Sequence, residues 1–185
     1  RIFKTWPRYE SNTRTYQQSD RFICACSFDG TTTVWEIKKE RDEDGHVLEN
    51  VAVLVCFITL AHIRSHTHHT QQEGHDNEVK RVDWSSNGEL IATCGRDKTV
   101  WIWEVGDAEE CEFDCVAILT GHSQDVKSVT WHPLKELVFS TSYDDTVRVW
   151  RSRIELDDEW HCVDVLKTHD STVWDLSFER RRGTS

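Results

Sequence analysis

The chain has no methionine, only two prolines, and no apolar stretch near the ~18 residues a membrane helix needs. Its longest apolar run, from Val51 to Leu60, is already interrupted by Thr59, so no bilayer-spanning helix is expected. The opening residues, RIFKTWPRYESNTR, hold no apolar signal-peptide core. Basic residues are also in short supply, 22 against 33 acidic ones for a net charge of −11, which disfavours non-specific attachment to nucleic acid or anionic lipid. The sequence therefore reads as intracellular, with another protein as the expected partner. Seven cysteines, an odd number scattered through strand-like segments, fit reduced thiols better than a disulfide framework.

What is present points to a repeat. At 185 residues, 37% hydrophobic and 30% charged, the chain can bury one ordinary core. Nine tryptophans suggest one aromatic position used again and again. Self-comparison shows the period: GHDNEVKRVDW from Gly74, GHSQDVKSVTW from Gly121 and THDSTVWDLSF from Thr168 place His75, His122 and His169 at equal spacings of 47 residues. The first two openings lead into ELIATCGRDKTVWIWEV and ELVFSTSYDDTVRVW, short alternating β-branched runs joined by tight Arg-Asp-Lys and Tyr-Asp-Asp turns. A third copy, RFICACSFDGTTTVWEI, precedes them, and Asp29, Asp97 and Asp144 each stand six residues before Trp35, Trp103 and Trp150.

The joint recurrence of Gly-His, Asp and closing Trp over most of residues 19 to 179 resembles the WD40 repeat. That resemblance implies an all-β fold, a WD40 β-propeller of which this chain would hold about three blades of an expected seven, a partial ring. It also implies a hydrogen-bonded chain of His, Ser/Thr, Asp and Trp within a blade, here His75, Thr93, Asp97 and Trp103, then His122, Ser140, Asp144 and Trp150. A buried carboxylate is tolerable when imidazole, hydroxyl and indole N–H satisfy it. A His-Asp-Ser set invites a hydrolase reading, but two copies at blade spacing make these residues structural.

Two repeats lie whole at 73–119 and 120–166, with part of one at 19–54 and the start of another at 167–179; 1–18 is an atypical N-terminal segment and 180–185 a tail. A ring of four to eight blades cannot close from these, so the chain is expected to be a fragment or the product of a defective gene model. Residues 1–18 offer no evident apolar first strand before Phe22. Residues 55–72 read as an aberrant insert: removing VCFITLAHIRSHTHHTQQ joins VAVL to EGHDNEV and reproduces the CVAILTGHSQDV junction of the next repeat. Because Val codons begin GT and Gln can be CAG, the segment has the border letters of a translated intron. Its histidines His62, His66, His68 and His69 could be taken for a metal site, but no strand or helix context supports ligation.

Fold alone does not give function. The phrases TVWIWEV, SQDVKSVTWHP, STSYDDTVRVW, DDEWHC and THDSTVWDLSFE are similar to the WD40 subunits of the cytosolic iron–sulfur protein assembly (CIA) targeting complex. The resemblance implies a non-catalytic scaffold in the cytoplasm, and also in the nucleus. It would dock protein subunits of that complex, a small partner and a HEAT-repeat partner, and help target clusters to apoprotein clients, with no cofactor, nucleic acid or membrane contact of its own. One departure is Val149-Trp150-Arg151, where relatives can carry a Leu-Tyr-Arg triplet linked to cochaperone recruitment. Another WD40 adaptor, a ubiquitin-ligase substrate receptor or a chromatin-complex subunit, would share the blades and differ at the rim. An enzyme would need a nucleophile or metal outside the repeat positions, and the sequence offers none. No CxxC pair occurs, and the cysteines, Cys24, Cys26 and Cys94 among them, read as small apolar core residues.

Propeller geometry, by the same resemblance, builds an exposed upper rim from the turn before each repeat aspartate and the loop entering each inner strand. This nominates Phe28, Arg96 and Tyr143 in the turns and Lys80, Lys127 and Trp174 on the entries, with Glu78 and Asp125 beside them. Aromatic and arginine side chains dominate interface hot spots, so Arg96, Tyr143 and Trp174 lead. The acidic stretches at 38–45 and 154–160 read as solvated loops.

Overall fold

A computed structural model describes residues 3–7, 20–39, 46–54, 56–59, 70–106, 113–153 and 159–179. Among them there is no helix; fourteen strands form three four-stranded antiparallel meanders and one separate two-stranded ribbon. The first meander is β1 (Phe3–Pro7), β2 (Asp20–Cys26), β3 (Thr32–Lys39) and β4 (His46–Val53). The ribbon pairs β5 (Cys56–Thr59) with β6 (Thr70–Glu73). The second meander is β7 (Val79–Trp84), β8 (Leu90–Gly95), β9 (Val100–Val105) and β10 (Phe113–Leu119). The third is β11 (Val126–Trp131), β12 (Val138–Ser142), β13 (Val147–Arg153) and β14 (Glu159–Leu166).

Each meander is one blade, and the strands appear where the sequence alternates. The three turns linking the second and third strands share a device. The residue after the repeat aspartate takes a left-handed conformation, Gly30 at φ 88°, Lys98 at 72° and Asp145 at 65°. Glycine adopts this without cost, whereas an L side chain there is strained by roughly 1 kcal/mol.

Blades face each other through apolar sheets. Cys24, Cys26, Val34 and Leu54 of the first blade pack with Val79, Val82, Trp84, Ile91, Trp101 and Trp103 of the second. The other face of the second blade, Ala92, Cys94, Val100 and Ile102, packs with Val126, Val129, Trp131 and Val138 of the third. At about 1.5–3 kcal/mol per fully buried aliphatic side chain, these two interfaces are the main source of cohesion. The three blades do not close a ring among the described residues.

One expectation needs correcting: residues 1–18 do contribute a first strand. Phe3–Pro7 pairs with β2 in register Phe3↔Ala25 to Trp6↔Phe22, occupying the place β7 and β11 hold in the next blades. The pattern FKTWP alternates but is too short and too distant from β2 to stand out in sequence. The ends of the 55–72 segment pair with each other, outside the blades. The blade reaches buried Leu54, the counterpart of buried Leu119, and resumes at Gly74 as the next one does at Gly121. His62, His66, His68 and His69 lie outside the described residues.

Candidate functional site

The second and third blades each contain an unbroken polar chain. In the second, Trp103 Nε1 donates to Thr93 Oγ1 at 2.9 Å, Thr93 Oγ1 meets His75 Nε2 at 2.8 Å, and His75 Nδ1 meets Asp97 Oδ2 at 2.6 Å. The third repeats it: Trp150 Nε1 to Ser140 Oγ at 2.8 Å, Ser140 Oγ to His122 Nε2 at 2.8 Å, and His122 Nδ1 to Asp144 Oδ2 at 2.9 Å. An indole can only donate, so the hydroxyl proton is left for the imidazole nitrogen, whose other N–H then points at the carboxylate.

Electrostatics support that order. Burial pushes the His122 imidazole below its ordinary range, against the opposing pull of Asp144, so it stays neutral. Burial alone would raise the Asp144 carboxyl, but donors from Thr146, His122 and the Ser123 N–H hold it at about 2. Asp97 behaves alike: bonds from His75 and Thr99 outweigh its burial and lower it. Thr93 and Ser140 are fully buried, so no substrate reaches either hydroxyl. Each chain clamps the entry loop to the second strand, the following turn and the third strand.

The first blade does not build this chain among its described residues. The position four before the repeat aspartate, Thr93 and Ser140 elsewhere, is Ala25, paired with Thr33 in the same register. Without that hydroxyl, Trp35 Nε1 turns to Thr33 Oγ1 at 3.0 Å. Asp29 is exposed and caps its own turn through Thr31, whose hydroxyl and N–H lower its pKa.

The turns carrying Phe28, Arg96 and Tyr143 are bonded to the strand entries. Arg96 N–H donates to Glu78 O at 3.0 Å and Tyr143 N–H to Asp125 O at 2.9 Å, tying each turn to its own blade's entry. Val79 N–H donates to Ser27 O at 3.0 Å and Val173 N–H to Ser142 O at 3.1 Å, tying the first turn to the second blade and the third turn to the segment after β14. All eight nominated residues fall on this line. Phe28, Tyr143 and Trp174 are exposed at 71%, 54% and 67%.

The lysines are not loose strand ends. Lys80 lies over the Phe28 ring at 4.3 Å and pairs with Glu78 at 2.6 Å. Lys127 lies between Tyr143 at 5.1 Å and Trp174 at 5.4 Å and pairs with Asp125 at 3.1 Å. Glu78 also faces Arg96 at 3.6 Å, and its hydrogen bond from Lys80, ahead of the Arg96 charge, lowers its carboxyl pKa. Arg96 is the looser of these ion pairs and keeps 58% of its side chain exposed.

Four polar residues, Asp83, Asp175, Ser128 and Arg81, escaped the sequence reading. Asp83, buried in β7, accepts the Trp84 N–H and, across the blade interface, the Trp131 N–H, both at 3.0 Å. Asp175 joins Ser128 and Arg81. The repeat gives no signal for these, because Thr130 and Ser177 replace Asp83 in the following copies, and Arg81, Ser128 and Asp175 share one repeat position with three chemistries. Among the cysteines, Cys24, Cys26 and Cys94 are buried, and burial raises all three thiols. Cys115 and Cys162, on the outermost strands, are half-buried and pack against the edges of the two cores. No cluster of three or more potential metal ligands occurs among the described residues.

The family model "WD domain, G-beta repeat" matches residues 64–104 and 113–151, so the chain carries WD40 repeats in two places, and its all-β meanders are consistent with a WD40 propeller. Relatives named "Probable cytosolic iron-sulfur protein assembly protein 1" are similar over half of the chain. The protein of Lodderomyces elongisporus is 44% identical over 93 residues, 50% of this chain and 22% of the relative. That of Kluyveromyces lactis is 42% identical over 95 residues, 51% and 24% of the two chains. That of Candida albicans is 45% identical over 93 residues, 50% and 24%. The matched stretch thus spans under a quarter of the length of these relatives.

Proposed function

We propose that this chain is part of a non-catalytic WD40 scaffold of the cytosolic iron–sulfur protein assembly machinery, and that it docks partner proteins on the rim running from Phe28 through Arg96 to Trp174. The observation that carries the reading is identity of 42–45% with relatives bearing that name, over half of this chain. The rim supplies a physical means: exposed aromatics and a loosely paired arginine, with the Arg96 and Tyr143 turns braced by the polar chains of their blades. Docking there would place the scaffold in the cytosol, and in the nucleus where apoprotein clients reside. The partners would be protein subunits of the targeting complex and the apoproteins that receive clusters.

The test is affinity purification of the tagged chain with mass spectrometry, wild type beside Arg96→Glu. Recovery of iron–sulfur assembly proteins by the wild type, reduced at least about tenfold by the variant as for a hot-spot residue, is the expected result. Arg96 is exposed, so the variant should keep the wild-type melting profile. Recovery of ubiquitin-ligase or chromatin subunits instead would leave the blades standing and overturn the function; undiminished recovery with Arg96→Glu would overturn the rim.

A further inference from the structure

Residues 167–179 follow β14 and run along the third blade without joining a sheet ladder among the described residues. Their sequence matches the inner strands β7 and β11, yet few contacts fix them. Val173 N–H reaches Ser142 O at 3.1 Å, and the Phe178 ring packs on His132 at 4.9 Å and Phe139 at 5.1 Å. Between these anchors sits Asp175. Its Oδ1 accepts Ser128 Oγ at 2.7 Å and the Leu176 N–H at 2.9 Å, and its Oδ2 accepts Arg81 Nη1 at 2.8 Å. One carboxylate therefore spans the third blade's inner strand, the second blade's inner strand and its own segment.

In an extended chain neighbouring side chains project to opposite sides. Holding Asp175 toward Arg81 and Ser128 thus turns Trp174 outward, where it meets Lys127. We infer that Asp175 is the positioning residue for Trp174 and so completes the third aromatic station of the rim. Its consequence for partner docking rests on the rim reading above; its structural part does not. Arg81 keeps only 19% of its side chain exposed, so losing the carboxylate would leave a largely buried guanidinium without this charge partner. Donors from Ser128, the Leu176 N–H and Arg81 lower the Asp175 carboxyl against the effect of its burial, so it is anionic at neutral pH.

The experiment compares hydrogen exchange of the whole chain as wild type, Asp175→Asn and the charge exchange Arg81→Asp/Asp175→Arg. Asp175→Asn is expected to speed exchange of amides 172–178 by about tenfold or more, the equilibrium equivalent of a charge-assisted hydrogen bond, while amides of β11 to β13 keep their protection. The charge exchange should recover part of that protection, which a merely space-filling role would not allow. Unchanged exchange at 172–178, or an equal rise throughout the third blade, would overturn the assignment. Partner recovery separates the two readings: if Trp174→Ala leaves it intact while Asp175→Asn frees the segment, the rim reading fails and the latch stands.

Discussion

The first blade and the third differ in one polar chain, and the difference shows what that chain does. Both have four antiparallel strands, a tight turn with a left-handed residue and an aspartate six residues before a tryptophan. In the third blade the carboxylate is gripped by Thr146, His122 and Ser123 and reaches Trp150 through Ser140. In the first, Ala25 replaces the hydroxyl, and among the described residues Asp29 caps its own turn through Thr31. The same motif letter is thus a cross-strand strut in one blade and a local cap in the other. Two members are missing: Ala25 stands where the others have a hydroxyl, and no histidine precedes His46.

Removing the strut should give the largest effect. Asp144→Ala leaves a buried imidazole facing an empty acceptor site, and is expected to destabilise the chain by about 3 kcal/mol, the scale for breaking a buried charged network. Asp29→Ala should leave the melting temperature nearly unchanged, since its carboxylate is exposed. Equal effects in thermal or urea unfolding would erase the distinction between the blades.

Acid is the next lever. His122 and Asp144 both have folded pKa values below their unfolded ones, so the unfolded state binds more protons and stability falls as pH falls. The His122 contribution is complete above the ordinary imidazole value of 6.5 and is lost as pH drops through its lower folded value. The Asp144 contribution is complete above 3.8 and is lost toward about 2. Urea unfolding followed by hydrogen exchange at several pH values should show the third blade losing protection before the first; simultaneous loss would contradict the contrast.

The smallest effect lies in the turns. Lys98→Gly should relieve a left-handed side chain and raise stability by up to about 1 kcal/mol, partly offset by greater freedom of the unfolded chain. Gly30→Ala should do the reverse, because a Cβ there would sit 3.1 Å from the His75 carbonyl oxygen at φ 88°. Melting curves of the two variants check the pair.

Much of this was legible beforehand. The histidine spacing and the Asp-to-Trp offset mark His75, Asp97 and Trp103, and the resemblance to the WD40 repeat adds Thr93 and the turn positions of Phe28, Arg96 and Tyr143. β1 was not legible, since five residues set well ahead of β2 in the chain carry too little alternation to mark a strand. Nor were the Asp83 and Asp175 contacts, which join different blades and so depend on how sheets are set beside one another.

By itself, then, the sequence determined what recurs: alternating strands, tight turns and polar chains confined to one blade, all produced by contacts between residues near each other in the repeat. Only the tertiary structure decided where the blades are latched to one another. It also decided that Lys80 and Lys127 lie against aromatic rings rather than in solvent. Those features arise where one blade meets the next, and a period read along the chain carries no information about which atoms of neighbouring copies come to lie 3 Å apart.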